Sequence, residues 1–129
     1  MTVELPEPAK RLLDTDTFAT LATVNPNGSP QSSVIWVTRD GDDVVFSTIL
    51  GRRKTLNMQR EPRVSLTMFD PENPYQYVEI RGTVTMTEQG GPELIQRLSQ
   101  RYDGRPFTES SPANVRVVCR LTPSKVFAR

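Results

Sequence analysis

Stretches in which apolar and polar residues alternate occupy most of this chain, and short segments with apolar residues three and four apart interrupt them. Alternation turns one face of a strand to a core, and the wider spacing does the same for a helix. Leu5, Ala9 and Leu12 share one face of a short helix predicted over Pro8 to Leu13. Phe18 to Val24 alternates as a strand. Asn25-Pro26-Asn27-Gly28 is a strong turn signal, and Pro30 to Thr38 reads as the partner strand, carrying Val34, Ile35, Trp36 and Val37. A second turn, Arg39 to Asp43, leads to a strand over Val44 to Ile49, so these three strands are expected to form an antiparallel meander. Arg63 to Phe69 resumes the alternation with Val64, Leu66 and Met68 on one face. Beyond a rigid Pro71-Glu72-Asn73-Pro74 loop, Tyr75 to Met86 is a long strand with Gly82 as a possible bulge. Pro92 opens a helix with the stripe Leu94, Ile95, Leu98 and Tyr102. After a polar loop over Gly104 to Asn114, Val115 to Leu121 and Val126-Phe127 form a last strand broken at Pro123. The expected fold is mainly β (α+β), a single domain over residues 1–129. It is a six-stranded antiparallel split or closed barrel with short flanking helices, and an open α+β sheet is the alternative.

Between the third and fourth strands lies Gly51-Arg52-Arg53-Lys54-Thr55-Leu56-Asn57-Met58-Gln59-Arg60-Glu61-Pro62-Arg63. Gly51 supplies the turn, Thr55 to Glu61 reads as a short helix, and Pro62 stops it. Cations cluster where this helix begins, at the positive end of its dipole. A bound anion would relieve that conflict, because free backbone N–H groups and the cations would both point at it. A solvated turn whose cations keep the surface soluble also satisfies the stretch. The segment carries five basic residues and one acid, whereas the whole 129-residue chain has a net charge of only +1.

That balance gives no global pull toward nucleic acid or membrane. No apolar run is long enough to span a bilayer, and the acidic start is not a signal peptide. The chain has no histidine, which removes histidine-based triads and the usual zinc sites. The single Cys119 excludes an internal disulfide framework and fits a reducing, cytoplasmic setting. P-loop, G-x-G-x-x-G, G-x-S-x-G and C-x-x-C motifs are all absent. Asp40, Asp42 and Asp43 are too few oxygen ligands for calcium. Gln31, Ser32 and Ser33 are a polar triplet in an otherwise apolar strand, which fits either a ligand-contacting wall or an exposed edge. Trp36 is a core residue or a pocket wall. Tyr75 and Tyr77 share one strand face, as at an interface, a stacking site or a packed sheet edge.

The segments "FATLATVNPNGSPQSSVIWV", "VVFSTILGRRKTLNMQREPRVSL" and "YVEIRGTVTM", in this order, resemble the pyridoxamine 5′-phosphate oxidase-like superfamily with the FMN-binding split-barrel fold. The resemblance runs over about residues 10–127. Its most specific part, "STILGRRKTLNMQREPR", is similar to the family pattern R-x-K-x-x-N-(x)-x-R-D/E-P-R. Within the superfamily the chain looks most like the small actinobacterial proteins that use the deazaflavin coenzyme F-420 to reduce activated double bonds. The resemblance implies Arg52 and Lys54 as cofactor-phosphate residues, and Ser47, Thr48 and Ile49 as the strand end beside the ring and ribityl chain. It implies Gln31, Ser32, Ser33 and Val34 as the opposite wall, with Tyr75 and Tyr77 supplied by the second subunit of a homodimer. The expected activity is hydride transfer from reduced coenzyme F-420 to an electron-poor double bond of a small molecule, with no catalytic residue assigned and no metal. The alternatives are an FMN-binding flavin reductase or oxidase of the same fold, and a non-catalytic cofactor-binding protein. Residues needed for the substrate phosphate of the longer oxidases have no counterpart here. A nucleic-acid partner fits poorly, because the cation cluster is compact and aromatics are few.

Overall fold

A computed structural model describes residues 2–129. Ten elements follow one another: α1 (Glu7–Leu13), β1 (Ala19–Val24), β2 (Pro30–Ile35), β3 (Thr38–Asp40), β4 (Asp43–Ile49), α2 (Arg53–Arg60), β5 (Arg63–Asp70), β6 (Asn73–Thr87), α3 (Gly91–Asp103) and β7 (Arg116–Ala128). The strands form one antiparallel sheet in the order β2-β1-β5-β6-β7-β4-β3. Its two edge strands, β2 and β3, are joined by only Trp36 and Val37. Ile35 and Thr38 are therefore within about 11 Å of each other by chain geometry. Seven strands whose first and last members lie that close must curl around a common interior. Among the described residues no ladder joins β2 to β3, so the barrel is split at that seam.

The seam corrects two expectations. The first hairpin (β1–β2) and the second (β3–β4) both form, but β2 and β3 do not pair, so there is no three-stranded meander. The strand read over Pro30 to Thr38 is divided at Trp36-Val37, which makes seven strands rather than six. The cause lies in α3. The Tyr102 hydroxyl accepts a hydrogen bond from Val37 N–H at 3.0 Å and lies 3.0 Å from the Val37 carbonyl and 2.8 Å from that of Thr17. The backbone groups that would continue a ladder are thus turned to a side chain. The expected turn over Arg39 to Asp43 shortens to Gly41-Asp42, because Asp40 pairs with Asp43; Gly41 takes the positive φ of +62° that so tight a hairpin requires.

Pro123 does not break the last strand. It sits opposite Gly82, while Arg81 pairs with Lys125, so Ser124 is the extra residue and the bulge lies on β7. An added Cβ on Gly82 would stand 2.0 Å from the Thr122 carbonyl oxygen. Glycine is required there because the two backbones approach so closely.

Inside the barrel, Leu21, Phe46, Leu66, Met68, Ile80, Cys119 and Leu121 are fully buried, and α1 adds Ala9, Leu12 and Leu13 to the same cluster. Helix α2 inserts Met58 into this core. Helix α3 lies outside the barrel, packing Leu94 and Leu98 on Val45, with Trp36, Tyr102 and Val118 at the margin.

Candidate functional site

The β4–α2 junction is the start of the site. Gly51 has φ +93°, the left-handed conformation that lets the chain leave β4 and enter the helix at once. Below the helix, Thr55 anchors the turn. Its hydroxyl donates to the Ile49 carbonyl at 2.7 Å and so accepts from Thr48 Oγ1 at 2.9 Å. Asn57, fully buried, donates to Thr23 Oγ1 at 3.0 Å and to Asn25 Oδ1 at 2.9 Å. These bonds fix α2 to β4 on one side and to the β1–β2 hairpin on the other. The first intrahelical bond runs from Leu56 N–H to the Arg52 carbonyl, so the N–H groups of Arg53, Lys54 and Thr55 precede it. No side chain caps this terminus and no acid lies in its first turn.

A cleft of about 280 Å³ opens beside the helix start, and Ser47, Arg52, Lys54 and Arg116 line it. Phe18, Val34, Trp36, Ile95 and Phe107 give the same cleft an apolar surface. Trp36 stacks on Tyr102 at a centroid distance of 5.4 Å and meets Phe107 edge-on at 6.5 Å. Gln96 holds Phe107 by its backbone, donating to the Phe107 carbonyl at 2.9 Å and accepting from its N–H at 3.0 Å. Lys54 Nζ reaches Ser33 Oγ at 3.4 Å. Burial, with Arg52 and Arg116 nearby, pushes the Lys54 ammonium below its usual value. Glu109 pairs with Arg116, which holds its carboxyl below the usual range. The Cys119 thiol is pushed up to about 12 by burial, so it is no nucleophile.

The residues expected from the sequence divide into groups. Val34, Ser47, Arg52 and Lys54 line the cleft together, and Ser33 is tied to Lys54. Gln31 lies along β2 and accepts from Thr23 at 2.5 Å, while Ser32 is exposed on the opposite face of β2 from Ser33. Thr48 and Ile49 are buried, Thr48 beneath α2. Tyr75 and Tyr77 lie near the start of β6, away from this cleft in their own chain; Tyr75 is 76% exposed and Tyr77 packs on Phe127 at 5.7 Å. Sequence reasoning missed Phe18, Ile95, Phe107 and Arg116. A lone aromatic in the polar loop was the available signal for Phe107. Arg116 had none, since it stands at the head of an ordinary Val-rich strand.

Such a cleft can hold an oxyanion on its cations and a flat apolar group against its aromatic residues. Among the described residues there is no group of three or more His, Cys, Asp or Glu able to hold a metal, and no helix is long and apolar enough to cross a membrane.

A solved structure described as an F-420 reductase is 34% identical, with a TM-score of 0.84, and the match covers 95% of this chain and 98% of that one. A conserved hypothetical protein from Mycobacterium tuberculosis is 22% identical over 98% of this chain and 85% of its own, with a TM-score of 0.78. A heme storage protein from Vibrio cholerae shares the fold at 18% identity, 98% and 95% coverage and a TM-score of 0.69. No curated protein matches the chain. The profile of the pyridoxamine 5′-phosphate oxidase family matches residues 5–129. With the split barrel and a 34% identical relative of nearly equal length in agreement with that match, the chain belongs to the pyridoxamine 5′-phosphate oxidase family.

Proposed function

We propose that this protein is a cytoplasmic oxidoreductase that binds coenzyme F-420 and delivers hydride from the reduced deazaflavin to an electron-poor double bond of a small molecule. The observation that carries the reading is the convergence of Arg52, Lys54 and Arg116 on one cleft that Phe18, Trp36 and Phe107 also line. The residues fit a planar cofactor bearing a phosphate. Arg52 offers a fork of donors and Lys54 a point charge, and the uncapped start of α2 favours negative charge at the same place. Ser33 and Ser47 add hydroxyl groups and Val34 apolar surface, while Gln31, Ser32, Thr48 and Ile49 belong to the two strand ends that carry these residues. The likeness to an F-420 reductase supports the deazaflavin over FMN. When bound, the cofactor supplies the hydride chemistry, while the protein binds, orients and shields it.

The cleft in one chain is small against the roughly 300–1,000 Å³ of typical ligand pockets. We therefore assign the remaining wall to a second copy of the chain, with Tyr75 and Tyr77 reaching across a homodimer interface. The exposed row Phe69, Tyr75 and Phe127 supports this assignment. A sedimentation-velocity measurement at micromolar concentration should return the dimer mass, and a monomer would remove the second wall. The decisive experiment is equilibrium fluorescence titration of the purified protein with coenzyme F-420 and with FMN. Tighter binding of coenzyme F-420 is expected. Tighter binding of FMN would move the protein to the flavin reductases of the same fold.

A further inference from the structure

Arg116 is a third cation at the cleft, but it is not free. It stands opposite Ile49 in the β4–β7 ladder, and only 9% of its side chain is exposed. Its Nε donates to Glu109 Oε2 at 2.6 Å and its Nη2 to Glu109 Oε1 at 3.2 Å. This is the two-pronged geometry by which a guanidinium holds a carboxylate or a phosphate. Its Nη1 reaches Ser47 Oγ at 3.4 Å, on the strand end that frames the cleft. Phe107 places its ring against the same guanidinium, 4.8 Å from centroid to Cζ. Glu109 comes from the loop over residues 104–115, and Asn114 Nδ2 also donates to it at 3.0 Å.

We propose that Arg116 and Ser47 form a second oxyanion subsite of the cleft, and that Glu109 fills it from within until an anionic group of the ligand displaces it. The proposal rests on the anion-site reading of Arg52 and Lys54. Three observations carry it. Without Glu109, three cations would face one another around a partly buried cleft, a repulsion that the internal carboxylate relieves. The carboxylate holds Arg116 side-on through Nε and Nη2, the fork that a side-on oxyanion would need, and leaves Nη1 to Ser47. The loop's other anchors are Gln96 to Phe107 and Ser99 to the Arg105 carbonyl at 2.7 Å before Glu109, and Leu50 N–H to the Val115 carbonyl at 3.0 Å at its far end. Release of Glu109 therefore frees residues 108–114 and leaves the aromatic wall in place. An ion pair that merely braces the loop would change anion affinity only through its charge, and would do so equally without Arg116.

The test uses inorganic pyrophosphate as the probe, measured by isothermal titration calorimetry at low salt and followed by the fluorescence of Trp36, the only tryptophan. Glu109→Gln keeps the size and one acceptor oxygen while removing the competing charge. It should bind pyrophosphate roughly three- to tenfold tighter than the parent, the size expected from one nearby unit charge in a partly hydrated site. In an Arg116→Gln background the same change should give no gain. Parent-like or weaker binding by Glu109→Gln, or no pyrophosphate binding by either protein, overturns the proposal. Hydrogen exchange on the unaltered protein provides an arm that needs no variant. Amides of residues 108–114 should exchange faster with saturating pyrophosphate and those of Gln96 and Phe107 should not; equal protection throughout also overturns it. If pyrophosphate behaves as described but coenzyme F-420 does not bind, the cofactor reading fails while the subsite stands.

Discussion

On the proposed cofactor reading, replacing Lys54 with methionine should move cofactor affinity and stability in opposite directions, because the ammonium assigned to the phosphate sits at the positive end of a helix. Its stem is half-buried beside Ser33, and its ammonium shares the cleft with Arg52 and Arg116 at the positive end of α2. Methionine preserves the packing of the stem and removes only the charge. Loss of a charge-assisted hydrogen bond to the ligand costs about 1.5–3 kcal/mol, which raises the dissociation constant of coenzyme F-420 by roughly ten- to 150-fold. Removing a cation from a helix start returns about 0.3–1 kcal/mol to the protein without ligand, or about 1–4 °C in Tm for a chain of this size. The pH dependence follows from the lowered Lys54 pKa. Between that value and the ordinary lysine value of 10.5, the unfolded chain binds more protons than the native one. The parent therefore gains stability as pH rises through this window. Methionine has no such term, so its Tm advantage should shrink as pH approaches 10.5, while anion binding to the parent weakens over the same range. Fluorescence titration and differential scanning fluorimetry between pH 7 and about 10.5 measure both effects. Unchanged affinity at low salt, or a lower Tm for the variant at neutral pH, would refute the reasoning and return the basic segment to a solvated turn.

Three further outcomes are expected. Asn57→Ala strips the buried bonds to Thr23 and Asn25 that hold α2; it should cost about 1–3 kcal/mol in urea unfolding and weaken cofactor binding by displacing the helix start. Gly82→Ala forces a Cβ to within 2.0 Å of the Thr122 carbonyl oxygen; a loss of about 2–4 kcal/mol is expected, and a parent-like denaturation midpoint would show that the β6–β7 crossing is less tight than described. Tyr102→Phe leaves Val37 N–H without its partner at the seam, so it should cost about 1–3 kcal/mol and alter Trp36 emission through the stacked ring; unchanged stability would mean that water replaces the hydroxyl.

The sequence by itself determined the elements and the chemistry of the β4–α2 junction. Alternation in Val64, Leu66 and Met68, the Gly28 and Gly51 turns and the Pro62 stop are local signals, and each acts through its own backbone. The cation cluster was equally legible, because Arg52 and Lys54 sit two residues apart on one short segment. Only the tertiary structure decided which edges meet. Periodicity tells which face of a strand is apolar but not which neighbour it pairs with, so the division of one expected strand at Trp36-Val37 depended on a hydroxyl from Tyr102, far along the chain. Pro123 illustrates the same limit. In isolation it reads as a break, yet the bulge at Ser124 and the missing side chain of Gly82 let β7 continue past it. The cleft's remaining wall follows suit. Phe18, Phe107 and Arg116 come from a strand approach, a polar loop and a strand head, and the curling of the sheet with the docking of α3 brings them to one place. Beyond the lone aromatic of the polar loop, their identities carried no local signal, because their role depends on what folding puts beside them.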